Sequence, residues 1–525
     1  MKRLALGVSD YKEIVEFGYS YIDKTLLVEE ILESGTKVFL IARPRRFGKT
    51  LNLSMLRYFF EKTEKDHSFL FQNFKIWKRK YREEQGRYPV ISLSFKEIKN
   101  STWESAYKDL KLLISTEFTR HRFLLEVEKE NKPLLQEEEK ELFYSILTRQ
   151  GDETIFKSSL KLLTLWLERY YQKKSIVLLD EYDTPIQSSY LYAYYDSMIE
   201  FMRGWLAGGL KDNSCLEKAV LTGILRVSKE SVFSGLNNLG CYTLLDEEFG
   251  DKFGFVEEEV ISLLQEHSTS CKIEDIRKWY NGYAIGSHAI YNPWSIIQCI
   301  QKKGELRPYW VNTSDNELIK KLIIQGDSSL KMEVEKLLLS EVITKPVDEG
   351  TVFKSLDNQM DAIFGLFLFS GYLTLAGKPV YKSGALECPL KIPNQEIADL
   401  YKVILKEWMV KTLPSNNLAL LLQSLTTGDI PVFTEMLQTL ILNTMSYYDV
   451  PKDEPERVYH AFVLGLLVSL EETYEVKSNR ESGFGRYDVC LIPKDPLGLG
   501  IILECKKVKE AESLSLAAED ALKQI

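Results

Sequence analysis

The chain has 525 residues, with 67 basic and 76 acidic side chains and a net charge of −9 at pH 7. Hydrophobic residues make up 45% of the sequence and charged residues 27%, which is typical of a soluble globular protein and excludes a fibrous or disordered chain. The negative net charge excludes a surface that is basic throughout, and it allows a nucleic-acid site only in a local basic groove.

The sequence predicts neither export nor membrane insertion. The N-terminal apolar run is too short for a signal peptide, and the longest apolar stretches, 363–375 and 461–470, fall short of the about 18 residues that a spanning helix needs. The seven cysteines are scattered without CxxC spacing, so they predict neither a disulfide framework nor a zinc site. We therefore expect a cytoplasmic protein.

The first segment, up to about residue 245, alternates strand-like and helix-like runs. Apolar strands are predicted at 38–42, 88–95, 175–180 and 218–223. A long amphipathic helical stretch is predicted at about 101–171, between the second strand and the third. Fully apolar strands separated by helices indicate a parallel sheet that helices cover on both faces.

The first of these strands runs into the sequence RPRRFGKT at 43–50, and a helix is predicted to follow it at 51–60. A Gly-Lys-Thr turn between a strand and a helix is typical of a phosphate-binding loop, although Arg43 stands where such loops usually have glycine. The alternative is a surface turn. In a phosphate loop, backbone N–H groups face the phosphates, the lysine reaches the outer phosphates and the threonine hydroxyl binds Mg²⁺. The predicted nucleotide-binding residues are Arg45, Arg46, Phe47, Gly48, Lys49, Thr50 and, from a later strand, Thr222.

Paired carboxylates follow the strand at 175–180. In a P-loop ATPase, an aspartate here, Asp180, holds Mg²⁺, and the following glutamate, Glu181, polarises the attacking water. Thr222 ends the next strand, where such enzymes place a polar sensor of the γ-phosphate. Arg226 and Lys229 come shortly after it, and each is either a charge-stabilising group at the phosphate or an ordinary surface cation.

The segment from about 250 to 390 is predicted to be mostly helical, with aromatic turns at 279–283 and 291–294. Tryptophans in these turns, such as Trp279 and Trp294, could stack on nucleic-acid bases, although packing inside a helical domain is the commoner role. The basic stretch 75–82 is either a contact for a phosphate backbone or a solvated helix.

A carboxylate and lysine pattern lies near the C-terminus. Asp488 begins one predicted strand, and a second strand ends in Glu504 and Lys506. Alternation along a strand places Glu504 and Lys506 on one face, with Asp488 within reach across the hairpin. Two carboxylates can hold Mg²⁺, and a lysine can orient or deprotonate a bound water. The polar segment 478–486 is predicted to be a loop that could contact a phosphate backbone.

Several stretches carry a family resemblance. YIDKT at 21–25, RPRRFGKT at 43–50, LLDEYD at 178–183, TGILRVSKES at 222–231 and FSGYLT at 369–374 resemble the bacterial AAA-ATPase-like family, whose members commonly end in a nuclease-like domain of the PD-(D/E)xK superfamily. The resemblance implies that Tyr21 and Asp23 lie close to the nucleotide. It also implies that Asp488, Glu504 and Lys506 form the nuclease triad and that Glu456 supplies a further metal-side carboxylate.

These observations together predict an α/β multidomain protein with ATP and Mg²⁺ as cofactors. We expect a P-loop NTPase domain at 1–248 with a helix-covered parallel sheet, a mainly helical middle or lid domain at 249–392, and a restriction-endonuclease-like α/β domain at 393–525. The last predicted helix of that domain is cut short at residue 525, which indicates either a truncated chain or an incomplete domain. The predicted function is ATP hydrolysis coupled to a Mg²⁺-dependent nuclease acting on DNA, with homo-oligomerisation left open.

Two other functions fit the sequence. One is a nucleotide-controlled switch or assembly ATPase, whose C-terminal domain binds nucleic acid or a partner without cleaving it. The other is a helicase or translocase motor, which is less favoured because no helicase motif is recognised between the two acidic sites.

Overall fold

The computed structural model describes residues 2–129, 132–226, 233, 237–269, 271–311, 316–326, 328–338, 340–350, 360–412, 415–444, 470, 473–482, 485–504, 519–520 and 522. The chain divides into two compact units, Met1–Ser314 with Thr344–Gln395, and Asp315–Ile343 with Glu396–Ile525. No helix among the described residues is long and apolar enough to cross a membrane.

The helices of the described residues vary from short turns to long amphipathic segments. In chain order they are α1 (Tyr11–Glu16), α2 (Leu27–Glu33), α3 (Lys49–Phe60), α4 (Trp103–Arg120), α5 (Glu137–Leu147), α6 (Glu153–Tyr171), α7 (Thr184–Leu191), α8 (Tyr195–Leu210), α9 (Glu257–Glu266), α10 (Ile273–Tyr280), α11 (Pro293–Gln301), α12 (Glu317–Gln325), α13 (Ser328–Leu338), α14 (Met360–Phe369), α15 (Gln395–Thr412), α16 (Ser415–Thr427) and α17 (Ile430–Thr444).

The strands of the described residues form several separate sheets. In chain order they are β1 (Arg3–Leu4), β2 (Tyr19–Ser20), β3 (Val38–Ala42), β4 (Val90–Ser94), β5 (Glu128–Lys129), β6 (Lys132–Pro133), β7 (Ser175–Asp180), β8 (Leu216–Gly223), β9 (Leu239–Tyr242), β10 (Tyr283–Ile285), β11 (His288–Ile290), β12 (Ile343–Val347), β13 (Thr374–Leu375), β14 (Val380–Lys382), β15 (Ala385–Lys391), β16 (Tyr474–Ser482), β17 (Gly485–Pro493) and β18 (Ile501–Leu503).

A five-stranded parallel sheet, in the order β4-β7-β8-β3-β9, forms the centre of the first unit. All residues of β3 and β7 are buried, as expected for strands that helices cover on both faces. The helix α3 contacts β4, β7 and β8, and α6 contacts β7 and α8. The predicted parallel sheet is therefore confirmed, and its order inserts β8 between β3 and β7.

The segment 249–392 is mainly helical, as predicted, and it also contains several short strands. Here β10 and β11 form a hairpin, and β12, β13 and β14 all pair with β15. These strands are short, and Pro346 lies in β12 at the edge of its sheet, where a missing N–H is tolerated. Short strands with a proline carry little periodic signal, so the sequence did not indicate them.

The compact units also divide the chain differently from the three predicted domains. The segment after residue 248 is tied to the N-terminal part by polar contacts. The Asn52 amide donates to the Lys252 carbonyl at 2.9 Å, and the buried Lys24 ammonium lies 2.7 Å from Glu259. Residues 249–314 therefore belong to the first compact unit, and 315–343 belong to the second.

The second unit contains an antiparallel sheet in the order β16-β17-β18. Val489 and Leu491 of β17 are fully buried, and they form a core with Leu425 of α16. Phe433 of α17 and Leu503 of β18 pack against this core. Helices and a small sheet in this part of the chain agree with the predicted α/β class of the C-terminal domain.

Candidate active sites

The phosphate-loop motif occupies the turn from β3 into α3. Gly48 caps the N-terminus of α3 with φ of 82°, and Arg46 has φ of 67°. A positive φ is easy for glycine and costs energy for a residue with a side chain. The loop thus has a left-handed residue at Arg46 as well as at the expected glycine, and the helix N-terminus behind it presents unpaired N–H groups.

Arg43, which replaces the usual first glycine, is fully buried and points away from the loop. Burial lowers the pKa of its guanidinium to about 10, and nearby Asp246 acts in the opposite direction, so the group keeps its charge at neutral pH. The guanidinium also lies over the Phe253 ring, 5.7 Å from its centroid. Its hydrogen-bond acceptors, at 2.7 to 3.4 Å, are the carbonyl oxygens of Ala42, Tyr242, Thr243, Glu248 and Phe249. The departure from the motif therefore replaces glycine with a buried cation that ties the loop to the segment after β9.

Restoring glycine at this position is expected to destabilise the protein. Arg43→Gly leaves several buried carbonyl oxygens without their donor, which costs about 3 kcal/mol and lowers the melting midpoint of the first unit by roughly 4 °C. Arg45→Gly, two residues away in the same loop, is the matched control and should shift the midpoint by less than about 2 °C. Differential scanning calorimetry of both variants checks this, and an unchanged midpoint for Arg43→Gly would contradict it.

Lys49 is the first residue of α3, and its ammonium is buried. It donates to the loop carbonyls of Arg43 at 3.0 Å and Pro44 at 2.8 Å. Burial lowers the pKa of Lys49, and the negative charges of Glu181, Asp183 and Asp180 oppose that shift. The predicted phosphate-binding lysine is thus held at the loop, facing three carboxylates.

The Asp180 carboxylate, at the end of β7, is hydrogen-bonded to one residue of α3 and one of β8. One oxygen of this buried carboxylate accepts from the Thr50 hydroxyl at 2.7 Å, and the other accepts from the Thr222 hydroxyl at 2.7 Å. Burial raises the pKa of Asp180, while these hydroxyl hydrogen bonds act to lower it. Because β8 lies between β3 and β7, its end brings Thr222 to the same edge of the sheet as Thr50 and Asp180. The structure therefore brings together three residues that the sequence predicted separately.

Glu181 follows Asp180 at the end of β7 and adopts φ of 50°, a left-handed conformation that is uncommon for glutamate. Its carboxylate accepts a long hydrogen bond, 3.4 Å, from the Thr184 hydroxyl. Its charge acts on both Lys49 and Arg46. Glu181 therefore lies at the predicted site with a carboxylate that is only weakly bound.

Asp183, which lies close to the paired carboxylates in sequence, holds the segment after β8. Its buried carboxylate accepts the N–H groups of Ile224 at 2.8 Å and Leu225 at 3.0 Å. A Cβ at Gly223 would approach the Asp183 carboxylate to 2.7 Å, so only glycine fits there. Asp183 and Gly223 thus fix the backbone that follows the Thr222 hydroxyl.

The other predicted loop residues have separate contacts. Arg45 donates to the Gln187 side chain at 3.2 Å. The Phe47 ring is buried edge-on against Tyr283, with ring centroids 5.0 Å apart. The Arg46 guanidinium lies over the Trp294 ring at 4.4 Å. Phe47 therefore contributes packing through its side chain, and only its backbone belongs to the loop.

Three further residues weighed from the sequence have structural partners. Arg226 lies 3.5 Å from Glu349, which favours the reading of a cation outside the phosphate site. Asp23 accepts from the Thr25 hydroxyl at 2.6 Å and from the Lys75 N–H at 2.8 Å, so it braces two loops. Tyr21 packs edge-on against Tyr11. Lys229 lies outside the described residues.

The C-terminal hairpin carries two of the predicted carboxylates next to its last backbone pair. Val489 pairs with Leu503 and Cys490 with Ile502, and Asp488 precedes Val489 in β17 while Glu504 follows Leu503. Opposed residues of an antiparallel pair share a face, and Val489 and Leu503 lie on the core side. Asp488 and Glu504 are therefore the next residues beyond a pair that faces the core, and their meeting in a metal site stays a prediction. Lys506 and Glu456 lie outside the described residues.

The polar segment 478–486 was predicted to be a loop, and this was wrong. The strand β16 continues to Ser482 and β17 begins at Gly485, with Arg480 paired to Tyr487 and Ser482 to Gly485. A polar run becomes a strand here because the neighbouring β17 provides a continuous row of backbone partners.

Comparisons with known proteins match two parts of the chain to family models. Residues 5–233 match the family model described as a predicted AAA-ATPase, and residues 454–525 match the PD-(D/E)XK nuclease superfamily. The chain is also 27% identical, over 420 residues, to an uncharacterized protein in the vnfD 5′ region of Azotobacter chroococcum mcd 1. That alignment covers 78% of this chain and 71% of the relative.

Proposed function

Because the chain combines an AAA-ATPase-like domain with a PD-(D/E)XK nuclease-superfamily domain, we propose that it binds and hydrolyses ATP and couples this activity to metal-dependent cleavage of DNA. The observation that carries the proposal is the bonding of the Asp180 carboxylate to the hydroxyls of Thr50 and Thr222, beside the buried Lys49. Hydroxyl, carboxylate and ammonium groups therefore lie together near the N-terminus of α3, an arrangement suited to binding phosphate.

A divalent metal fits the first site. Mg²⁺ prefers hard oxygen ligands, and the Thr50 hydroxyl and the Asp180 carboxylate are such donors, 2.7 Å apart. These two residues would hold the ion, which when bound neutralises charge on the phosphates. Burial raises the pKa of the Asp180 carboxyl group. A cation beside this group is therefore favourable, because an opposite charge stabilises the ionised carboxylate.

The remaining residues of the site would have separate roles in ATP hydrolysis. Lys49 would exchange its hydrogen bonds to the loop carbonyls for hydrogen bonds to the outer phosphates. A hydrogen bond to a charged phosphate oxygen is stronger than one to a neutral carbonyl. Glu181, whose carboxylate is weakly bound, would orient the attacking water and accept its proton. Thr222 would donate its hydroxyl towards the γ-phosphate end of the site.

The proposal for the C-terminal domain rests on the match to the PD-(D/E)XK nuclease superfamily and on the pairing of Val489 with Leu503. Asp488 and Glu504, which adjoin that pair in sequence, offer two carboxylates of the kind that hold Mg²⁺. Such an ion, when bound, polarises the scissile phosphate and acidifies a water. Lys506 would orient that water. The net charge of −9 requires a local basic groove for the DNA.

A cleavage assay on the purified chain tests the coupled function. Linear, circular and single-stranded DNA are incubated with Mg²⁺ or Mn²⁺, with ATP, with a non-hydrolysable analogue, or without nucleotide. We expect metal-dependent cleavage whose rate changes with ATP, and removal of the metal by EDTA should lower it at least about 100-fold. ATP hydrolysis without cleavage under any condition would contradict the nuclease and favour the nucleotide switch, and absence of ATP hydrolysis would contradict the ATPase.

A further inference from the structure

Arg46 differs from the other cations of the phosphate loop. The side chains of Arg43, Arg45 and Lys49 all donate hydrogen bonds to protein acceptors. The Arg46 side chain is exposed and, among the described residues, it has no hydrogen-bonded acceptor and no ion pair. A guanidinium carries five N–H donors, so the side-chain donors of Arg46 are available to bind a ligand.

One contact orients the Arg46 side chain. Its guanidinium carbon lies over the Trp294 ring, 4.4 Å from the centroid, a distance typical of a cation–π interaction. Stacking uses the face of the guanidinium and leaves its edge N–H groups pointing outward. The ring therefore fixes the plane of the cation without using its donors.

The Trp294 ring is held in place by its own segment. The Asn292 side chain caps α11 and accepts the N–H groups of Trp294 at 3.0 Å and Ser295 at 3.3 Å. Tyr291 exchanges two backbone hydrogen bonds with Phe255, at 2.8 and 3.2 Å, and the neighbouring Gly254 donates to the Phe47 carbonyl at 3.1 Å. The segment that carries Trp294 is thus bonded, through 254–255, to the loop that carries Arg46.

Arg46 also interacts electrostatically with Glu181. Partial burial lowers the pKa of Arg46, and the negative charge of Glu181 acts against that shift, so the two side chains interact although they are not bonded. Arg46 also holds a left-handed backbone conformation, φ of 67°, of a kind that persists at functional sites where surrounding contacts maintain it. The charge of the Arg46 guanidinium therefore interacts with that of the carboxylate that we propose as the hydrolytic base.

We infer that Arg46 is a cation for the γ-phosphate supplied by the same chain, and that Trp294 is the positioning residue that presents it. This inference rests on the proposed ATPase function and names a residue far outside the phosphate loop. The γ-phosphate carries the charge that distinguishes ATP from ADP, and a bidentate guanidinium matches phosphate oxygens. The pair therefore contributes to the choice of ATP over ADP and to the hydrolytic step.

Steady-state ATP hydrolysis and separate measurements of ATP and ADP affinity by calorimetry test the inference on the full chain. We expect Trp294→Leu to lower kcat by about tenfold, the size of a cation–π contribution, and to weaken ATP binding while ADP binding stays within about twofold. Trp294→Phe keeps an aromatic face and should stay within about threefold of the parent. Arg46→Gln should cause a larger loss, about 100-fold or more in kcat.

Two comparisons separate positioning from general damage. Trp279→Leu replaces another partly buried tryptophan of the same unit, which packs against Tyr280, and should leave the choice between ATP and ADP unchanged. Trp294→Leu combined with Arg46→Gln should be no worse than Arg46→Gln alone, because the ring acts through the cation. Additive losses, or equal losses of ATP and ADP affinity in Trp294→Leu, would overturn the inference. A parent chain that does not bind ATP at all would overturn the proposed function itself.

Discussion

Glu181→Gln is expected to stop ATP turnover while ATP still binds. The substitution keeps the size of the side chain and can keep the contact with Thr184, but an amide cannot accept the proton of the attacking water. General-base catalysis contributes about 10²- to 10⁴-fold, so single-turnover hydrolysis should slow by that factor. The groups that hold phosphate, Lys49 and Thr50, are untouched, so the ATP affinity should change little.

The comparison with other variants makes this prediction specific. Lys49→Ala removes the buried ammonium and should abolish binding as well as turnover, because the phosphates then lose their main cation. Glu200→Gln, on the exposed face of α8 where Glu200 pairs with Lys157, is the control for a glutamate-to-glutamine change and should behave like the parent. Single-turnover assays with radiolabelled ATP, together with equilibrium binding, measure both quantities. Normal turnover by Glu181→Gln would exclude Glu181 as the base.

Asp488→Asn is expected to remove DNA cleavage and leave ATP hydrolysis intact. Asparagine keeps the size of the side chain but loses the charge that attracts a divalent cation to the carboxylate pair. Loss of metal-assisted catalysis is worth several kcal/mol, so cleavage should fall at least about 100-fold. Glu504→Gln changes the other proposed metal-binding carboxylate, which directly follows β18, and should give the same phenotype.

Asp495→Asn is the matched control because Asp495 lies in the turn between β17 and β18. There its side chain accepts the N–H of Leu497 at 3.0 Å, a bond that an asparagine oxygen can also accept. Cleavage by this variant should equal that of the parent. Gel assays in Mg²⁺ and Mn²⁺ and ATPase rates on the same preparations provide both readouts. Cleavage that persists in Asp488→Asn and Glu504→Gln would place the nuclease activity elsewhere or in a contaminant.

Much of the first unit could be predicted from the sequence because its strands are continuous apolar runs. The bounds of β3 and β7 agree with the prediction; β4 begins two residues later and ends one residue earlier than predicted, and β8 begins two residues earlier. The convergence of Thr50, Asp180 and Thr222 was also predictable, since the carboxyl ends of parallel strands meet at one edge.

The parts that could not be predicted depend on contacts between distant residues. A buried arginine at the start of a phosphate loop has no local signature, because the carbonyls that bind Arg43 come mainly from 242–249. The stacking of Arg46 on Trp294 joins two motifs far apart in the chain. The polar strand β16 is formed by its partner β17 rather than by its own composition.

The buried Arg43 also affects the thermodynamics of ligand capture. A glycine at the start of a phosphate loop leaves many backbone conformations accessible, and freezing them on association opposes affinity through lost entropy. Here the side chain already anchors that position to five carbonyl oxygens, so the loop is preorganised and fewer conformations are lost when phosphate arrives. The arginine thus makes the loop rigid before the ligand binds, as proline or a disulfide does in other binding loops.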